Sequence, residues 1–187
     1  EAIDYLLENT PDFLGTASHG GFIDKDFMIP YYKQIYDKGC YLVCSAGNDE
    51  GDVNKLAKGD MWKAIGACRF SFGGSNDYPT VKIEKDYSYG EEMDYVSVHN
   101  LKATYDNRKH KGTSFSYPLF MGMLALVQCF FIEKTGKKLT HEQLNRFVID
   151  HCVDLLESGH DKETGYGLFM LPDPESINIW KFACITW

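Results

Sequence analysis

No two cysteines in this chain form a CxxC pair, although there are six of them: Cys40, Cys44, Cys68, Cys129, Cys152 and Cys184. A zinc ribbon and a thioredoxin-type redox site both need such close thiol pairs, so either reading is weak. Cys44, Cys129 and Cys152 sit inside apolar patterns, which predicts buried free thiols rather than disulfides and suits a reducing compartment. Clustered positive charge is also missing. Lys and Arg number 19 against 27 Asp and Glu, giving a net charge of −8 and a pI near 5.2. That balance excludes a general nucleic-acid surface. Acidity otherwise favours solubility and says little about partners. The apolar stretch 119–132, "LFMGMLALVQCFFI", is shorter than the roughly 20 residues that span a bilayer, so no membrane is expected. Neither a signal peptide nor an initiator Met is visible, and the chain opens inside an amphipathic pattern, as a processed or trimmed piece would. A missing targeting signal therefore carries no weight. There is no internal repeat or low-complexity tract.

What is present is a core. At 44% hydrophobic over 187 residues, the chain can bury one compact domain. Residues 2–9 read as a helix with Ala2, Ile3, Leu6 and Leu7 on one side. "DFLGTAS" reads as a short strand entering the glycine loop "HGG". Residues 26–38 form a second helix pattern, capped by Asp24 or Asp26, with Pro30 in its first turn. "CYLVCSA" is an apolar run bounded by glycines, the pattern of a strand buried on both faces. "WKAIGACRF" is a further strand. Strands alternating with helices predict an α/β fold: a mostly parallel sheet with helices on both faces.

Residues 71–111 differ, being rich in Gly, Asp, Asn, Lys and Tyr. "TVKIEKDYS" and "MDYVSVHN" read as short strands of a more exposed, partly antiparallel section. A long helix follows over 114–134. Another, "LTHEQLNRFVIDHCV", has Thr140 as N-cap and Gln143 three residues on, a capping box. "GHDKETGYGLFMLPDP" is a turn-rich hairpin or strand segment, and the terminal "INIWKFACITW" is apolar enough to need burial or a partner.

Two short segments carry chemistry. In "KGTSFSYP", a serine stands in the first turn of an apolar helix, where backbone N–H groups are unpaired and the helix dipole favours negative charge. An oxyanion is stabilised by just such groups. Gly112 lets a substrate backbone approach, Pro118 needs no N–H if it lies in the first turn, and Gly122 permits close helix packing. Read alone, Ser114 is as well explained as a helix cap. In "YLVCSAGNDEG", a buried strand runs into small residues and Asn48, a layout that aims an amide at the carboxyl ends of parallel strands, where ligands bind.

Together these motifs resemble the subtilisin-like serine proteases (subtilases). "SAGNDEG" is similar to the family segment ending in the oxyanion-hole asparagine, and "GTSFSYPLFMG" to the segment carrying the nucleophilic serine. "EAIDYLLENTPDFLGTASHGG" resembles the helix and strand leading to the family's Ser-x-Gly substrate-binding segment. "MWKAIGACR", "LTHEQLNRFVIDHC" and "GYGLF" follow in family order. The resemblance implies that residues 1–187 are the C-terminal part of a subtilase catalytic domain, incomplete at its N-terminal side. It implies Ser114 as nucleophile and Asn48 as oxyanion donor. It further implies that Ser18, His19 and Gly20, with Ser45, Ala46 and Gly47, pair with a polypeptide substrate as an added strand.

The family's triad runs Asp, His, Ser. The chain contains no Asp-Ser/Thr-Gly strand end and no His-Gly-Thr-His helix start, so the Asp and His are expected from a separate N-terminal fragment of the same protease. His19 and His110 are the nearest substitutes in sequence. His141 and His151 read as surface or core residues on a helix, and His99 and His160 as loop histidines. The alternative is a non-catalytic subtilase-like binding module. The family's Pro-Gly turn before the serine is also missing. No cofactor is implied. "NDEGD" and "DKETG" have carboxylates that suggest calcium but lack EF-hand spacing. The resemblance leans towards secretion, against the cysteines' lean towards a reducing compartment.

Overall fold

The computed structural model describes residues 2–16, 25–54, 56, 59–71, 80–84, 86–102 and 108–183. Its elements are α1 (Ala2–Glu8), β1 (Phe13–Thr16), α2 (Lys25–Asp37), β2 (Tyr41–Ser45), β3 (Trp62–Ser71), β4 (Thr80–Ile83), β5 (Met93–Val98), α3 (Thr113–Thr135), α4 (His141–Asp150), β6 (Cys152–Val153), β7 (Leu168–Phe169) and α5 (Ile179–Phe182). The strands form one sheet in the order β1-β2-β3-β5-β7-β6, with β4 beside β3. The pairs β1–β2, β2–β3, β3–β5 and β5–β7 are parallel, while β4 on β3 and β6 on β7 are antiparallel. This is the expected α/β architecture. β5 corrects the reading of an exposed section: between β3 and β7 it is buried along its length except at half-buried Asp94.

The apolar run of β2 explains why helices cover both faces. All five residues are buried. Alternate side chains leave a strand on opposite faces. Tyr41 and Val43 accordingly join a core with Phe120, Leu124 and Phe131 of α3 and Leu144 and Phe147 of α4. Leu42 and Cys44 join Ile35 and Trp62 in a second core, closed by Leu6, Leu7 and Tyr32 from α1 and α2. α3 crosses β1 so closely that a Cβ on Gly15 would lie 2.3 Å from Met121 Sδ and 2.6 Å from the Tyr117 ring. A side chain at this position would have to displace Met121 and Tyr117.

α3 is longer than the apolar stretch read from the sequence. At 23 residues, it is long and apolar enough by length and composition to cross a membrane. Here it lies across β1, β2, β3 and β5, burying Phe120, Leu124, Val127 and Phe131. Both helix prolines sit deeper than expected, because α2 starts at Lys25 and α3 at Thr113. Pro118 therefore supplies no N–H to the carbonyl of Ser114, four residues back.

The capping box of α4 forms as read: Thr140 Oγ1 accepts from Gln143 N at 3.3 Å, and Gln143 Oε1 accepts from Thr140 N at 2.8 Å. Cys40, Cys44 and Cys68 are buried free thiols, whereas Cys129 is exposed on α3 and Cys152 half-buried. Cys129 corrects the sequence reading: α3 is apolar all round, so apolar neighbours did not mark its buried side. In the C-terminal segment Phe182 is buried but Trp180 is 64% exposed. Cys184 and Asp24 lie outside the described residues.

Candidate active site

β2 ends at Ser45, and the chain turns at Gly47, whose φ of 127° is a left-handed value that suits glycine. A Cβ there would also lie 2.4 Å from Ser88 Oγ. Ser88 stitches the turn in place: its hydroxyl donates to Asp49 O at 2.9 Å, and its N–H to Gly47 O at 3.4 Å. Asn48 follows, exposed, at the carboxyl end of β2.

Sixty-five positions later α3 begins, and Thr113 joins the two segments. Asn48 Oδ1 accepts from Thr113 N at 2.8 Å and from Thr113 Oγ1 at 3.0 Å. The same hydroxyl accepts from Gly47 N at 3.2 Å. Because a backbone N–H can only donate, the atom facing it must be the amide oxygen, and that assigns the flip of Asn48. Its Nδ2, the donor end, is turned elsewhere. A Cβ built on Gly112 would stand 3.3 Å from Asn48 Oδ1, 3.4 Å from Nδ2 and 3.4 Å from Ser114 Oγ. The space over Gly112 is therefore flanked by both the amide donor and the hydroxyl.

Ser114 does not cap the helix. The N-cap is Gly112, with φ 119° and ψ 157° and no side-chain capping bond. This region of backbone space is essentially glycine's alone. Thr113 N–H is taken by Asn48 and Phe115 N–H by Gly112 O at 3.0 Å. The N–H of half-buried Ser114 has no acceptor among the described residues. Gly112's own N–H turns the other way and donates to His99 Nδ1 at 3.1 Å. His99, read as a loop histidine, is instead buried at 2% exposure just after β5. Its other nitrogen, Nε2, lies 3.3 Å from Glu84 Oε1, which also pairs with Arg69 at 2.8 Å. Burial pushes the imidazole below its ordinary pKa, against an opposing pull from Glu84. Nothing in the linear sequence signals the His99–Gly112 bond, which joins two loops 13 residues apart.

Ser45 and Ala46 are buried and Gly47 is half-buried. Ala46 N–H donates to Ile65 O at 2.9 Å, and its carbonyl accepts from Asn54 N at 2.7 Å. Ser18, His19 and Gly20 lie outside the described residues. His110 stacks on Phe115 with ring centroids 4.9 Å apart. His141 packs against Tyr36 and Tyr41, His151 bonds Phe147 O at 2.7 Å, and His160 bonds Met93 O at 2.6 Å. No imidazole hydrogen-bonds Ser114 Oγ among the described residues. In "DKETG", the carboxylate of Asp161 accepts from Glu163 N, Thr164 N and Thr164 Oγ1, so it closes a turn. No group of three or more His, Cys, Asp or Glu among the described residues is arranged to hold a metal ion.

No family model matches the chain. It is 25% identical over 174 residues to the minor extracellular protease Epr of Bacillus subtilis, covering 90% of this chain and 25% of that protein. It is 26% identical over 161 residues to the major intracellular serine protease of the same organism, covering 82% of this chain and 48% of that one. The chain thus spans about half or less of the length of these curated relatives. Its fold is shared by a lanthipeptide protease, with a TM-score of 0.68 at 15% identity, and by the prenylagaramide maturation protease PagA, at 0.66 and 16%. Each match covers 90% of this chain and 62% of that structure. With the α/β sheet above, these likenesses support the resemblance to subtilisin-like proteases drawn from the sequence motifs.

Proposed function

We propose that this chain is the serine-bearing part of an endopeptidase that cleaves peptide bonds by acyl transfer. Ser114 Oγ attacks the scissile carbonyl. The oxyanion that develops is held by Asn48 Nδ2 and the N–H of Ser114, at the positive end of α3. The observation that carries this reading is the Thr113 clamp on Asn48 Oδ1, which points the opposite end of the amide away, beside the space that Ser114 Oγ flanks. Ser45, Ala46 and Gly47 contribute as part of the cleft wall, since the polar backbone atoms of Ala46 are already engaged. The substrate is a polypeptide, as for the proteases the chain resembles.

A serine needs a base. The reading assigns that base, with its aspartate, to a separate N-terminal part of the same protease. Two features support such a partner. β1 is a sheet edge with no strand on its outer side among the described residues, and open edges invite pairing. α3 exposes Leu126 at 60% and Ile132 at 39%, apolar surface suited to burial.

Treating the full-length protein with a fluorophosphonate probe tests the reading. The wild type should label and Ser114→Ala should not; labelling that survives the substitution sinks it. A second reading, a non-catalytic module on a protease fold, draws on the lack of an imidazole bonded to Ser114 Oγ among the described residues. It requires that the full-length protein does not label at all.

A further inference from the structure

The mechanism leaves one buried titratable pair unused, and it touches the residue on which the site is assembled. Gly112 stands between two sets of bonds. On one side its Cα faces Asn48 and Ser114 Oγ. On the other its N–H donates to His99 Nδ1 at 3.1 Å. A nitrogen that accepts carries no proton, so in this arrangement His99 is neutral with its proton on Nε2, directed at Glu84 Oε1. At φ 119° Gly112 has a wide conformational range in the absence of tertiary contacts, and its N–H is held by His99 Nδ1 while its carbonyl accepts from Phe115 N.

We propose that His99 is a positioning residue for the nucleophile: its neutral Nδ1 anchors the Gly112 N–H, and protonation removes the anchor. This rests on the reading of Ser114 as the nucleophile. When His99 takes a proton, Nδ1 becomes a donor facing a donor. Gly112 then loses its acceptor, and the turn that sets Thr113, Asn48 and Ser114 is released.

The groups around the imidazole set where that happens. β3 presents Arg69 and the buried thiol of Cys68, whose carbonyl accepts from His99 N at 2.9 Å. The end of β4 presents Glu84. The segment that follows presents Tyr87, its ring standing edge-on at 5.5 Å and itself beside Asp86. The loop before α3 presents Lys111. Burial lowers the pKa first, Arg69 and Lys111 lower it further, and the Glu84 hydrogen bond raises it, the net being downward. The sign follows: the anchored state is complete above the ordinary imidazole pKa and is lost as pH falls through the lowered folded value.

Two substitutions separate the anchor from mere packing. In His99→Asn, Oδ1 takes the place of Nδ1, so the acceptor persists but cannot titrate. In His99→Gln the amide reaches towards Glu84 and leaves the Nδ1 position without an acceptor. The experiment uses the full-length protein and two readouts: hydrogen exchange of the Gly112 amide, normalised to its intrinsic rate at each pH, and the fluorophosphonate labelling rate at Ser114. In the wild type, Gly112 protection should fall roughly tenfold through the His99 titration, the size of one ordinary hydrogen bond. His99→Asn should hold its protection at low pH, and His99→Gln should lack it throughout. Labelling should slow by about tenfold or more in His99→Gln and return to within about threefold of wild type in His99→Asn.

Equal Gly112 protection in wild type and His99→Gln overturns the proposal. So does an acid loss of protection shared by wild type and His99→Asn. If the exchange pattern appears but no variant labels, the anchor stands and Ser114 as nucleophile falls.

Discussion

At the scale of residues, the site turns on one hydroxyl. Thr113 Oγ1 donates to Asn48 Oδ1 and accepts from Gly47 N, while the backbone N–H of the same residue holds the same oxygen. Removing the amide donor with Asn48→Ala should lower kcat by about 10²–10³, the loss known for the corresponding donor of subtilisin, with little change in KM. Thr113→Val keeps the backbone bond and loses the hydroxyl. It should lower kcat by about tenfold, and Thr113→Ser should restore it. Steady-state kinetics on a peptide substrate check both; a Thr113→Val effect confined to KM would point to substrate binding instead. Ser114 and Asn48 stand out in the sequence as candidates because each sits in a recognisable local context, small residues before an apolar helix or after an apolar strand. Thr113's role, Ser88's stitch and the Glu84–His99–Gly112 chain were not legible. They join loops that meet only once the sheet has formed.

At the scale of elements, the start of α3 is the demanding feature. The backbone of Gly112, at φ 119° and ψ 157°, suits no other residue, and a Cβ would crowd Asn48 Oδ1 at 3.3 Å. Gly112→Ala should therefore destabilise the protein by about 1–3 kcal/mol and abolish labelling. Thr140→Ala removes the cap of α4, remote from the site in the chain. It should lower stability by about 1 kcal/mol and leave labelling intact. Thermal unfolding together with probe labelling separates the two; Gly112→Ala with wild-type labelling would contradict the account of the turn. Most elements could be read from pattern. β2 is apolar throughout because it is central, and α4 announces itself by its capping box. β7 falls within the stretch that reads as a hairpin or strand segment, but the two-residue β6 falls inside the preceding helix pattern, since a pairing that short leaves no periodicity of its own. The buried side of α3 was equally hidden, because a helix apolar all round does not distinguish Phe131 from the exposed Cys129.

At the scale of the whole molecule, the sheet ends at β1 among the described residues, and α3 keeps an apolar flank in contact with solvent. Both fit a protein in which this segment is one part of a larger core. Residues 1–187 expressed alone should react with a fluorophosphonate far more slowly than the same residues within the full-length protein. The gap should be on the order of 10⁶, as when subtilisin loses its base. Comparable rates would mean that the base lies within this segment. The fold class could be read from the alternation of strands and helices. The proposal of a separate N-terminal part rests in the sequence on a motif order lacking its first two members.

The most direct measurement is to digest the fluorophosphonate-treated full-length protein with trypsin and locate the adduct by tandem mass spectrometry. No Lys or Arg interrupts the stretch from Gly112 to Lys134. The adduct should fall within that peptide, on Ser114, and disappear in Ser114→Ala. An adduct on Ser116 or on any residue outside the peptide, in protein that cleaves polypeptides, would contradict the assignment of Ser114 as the nucleophile.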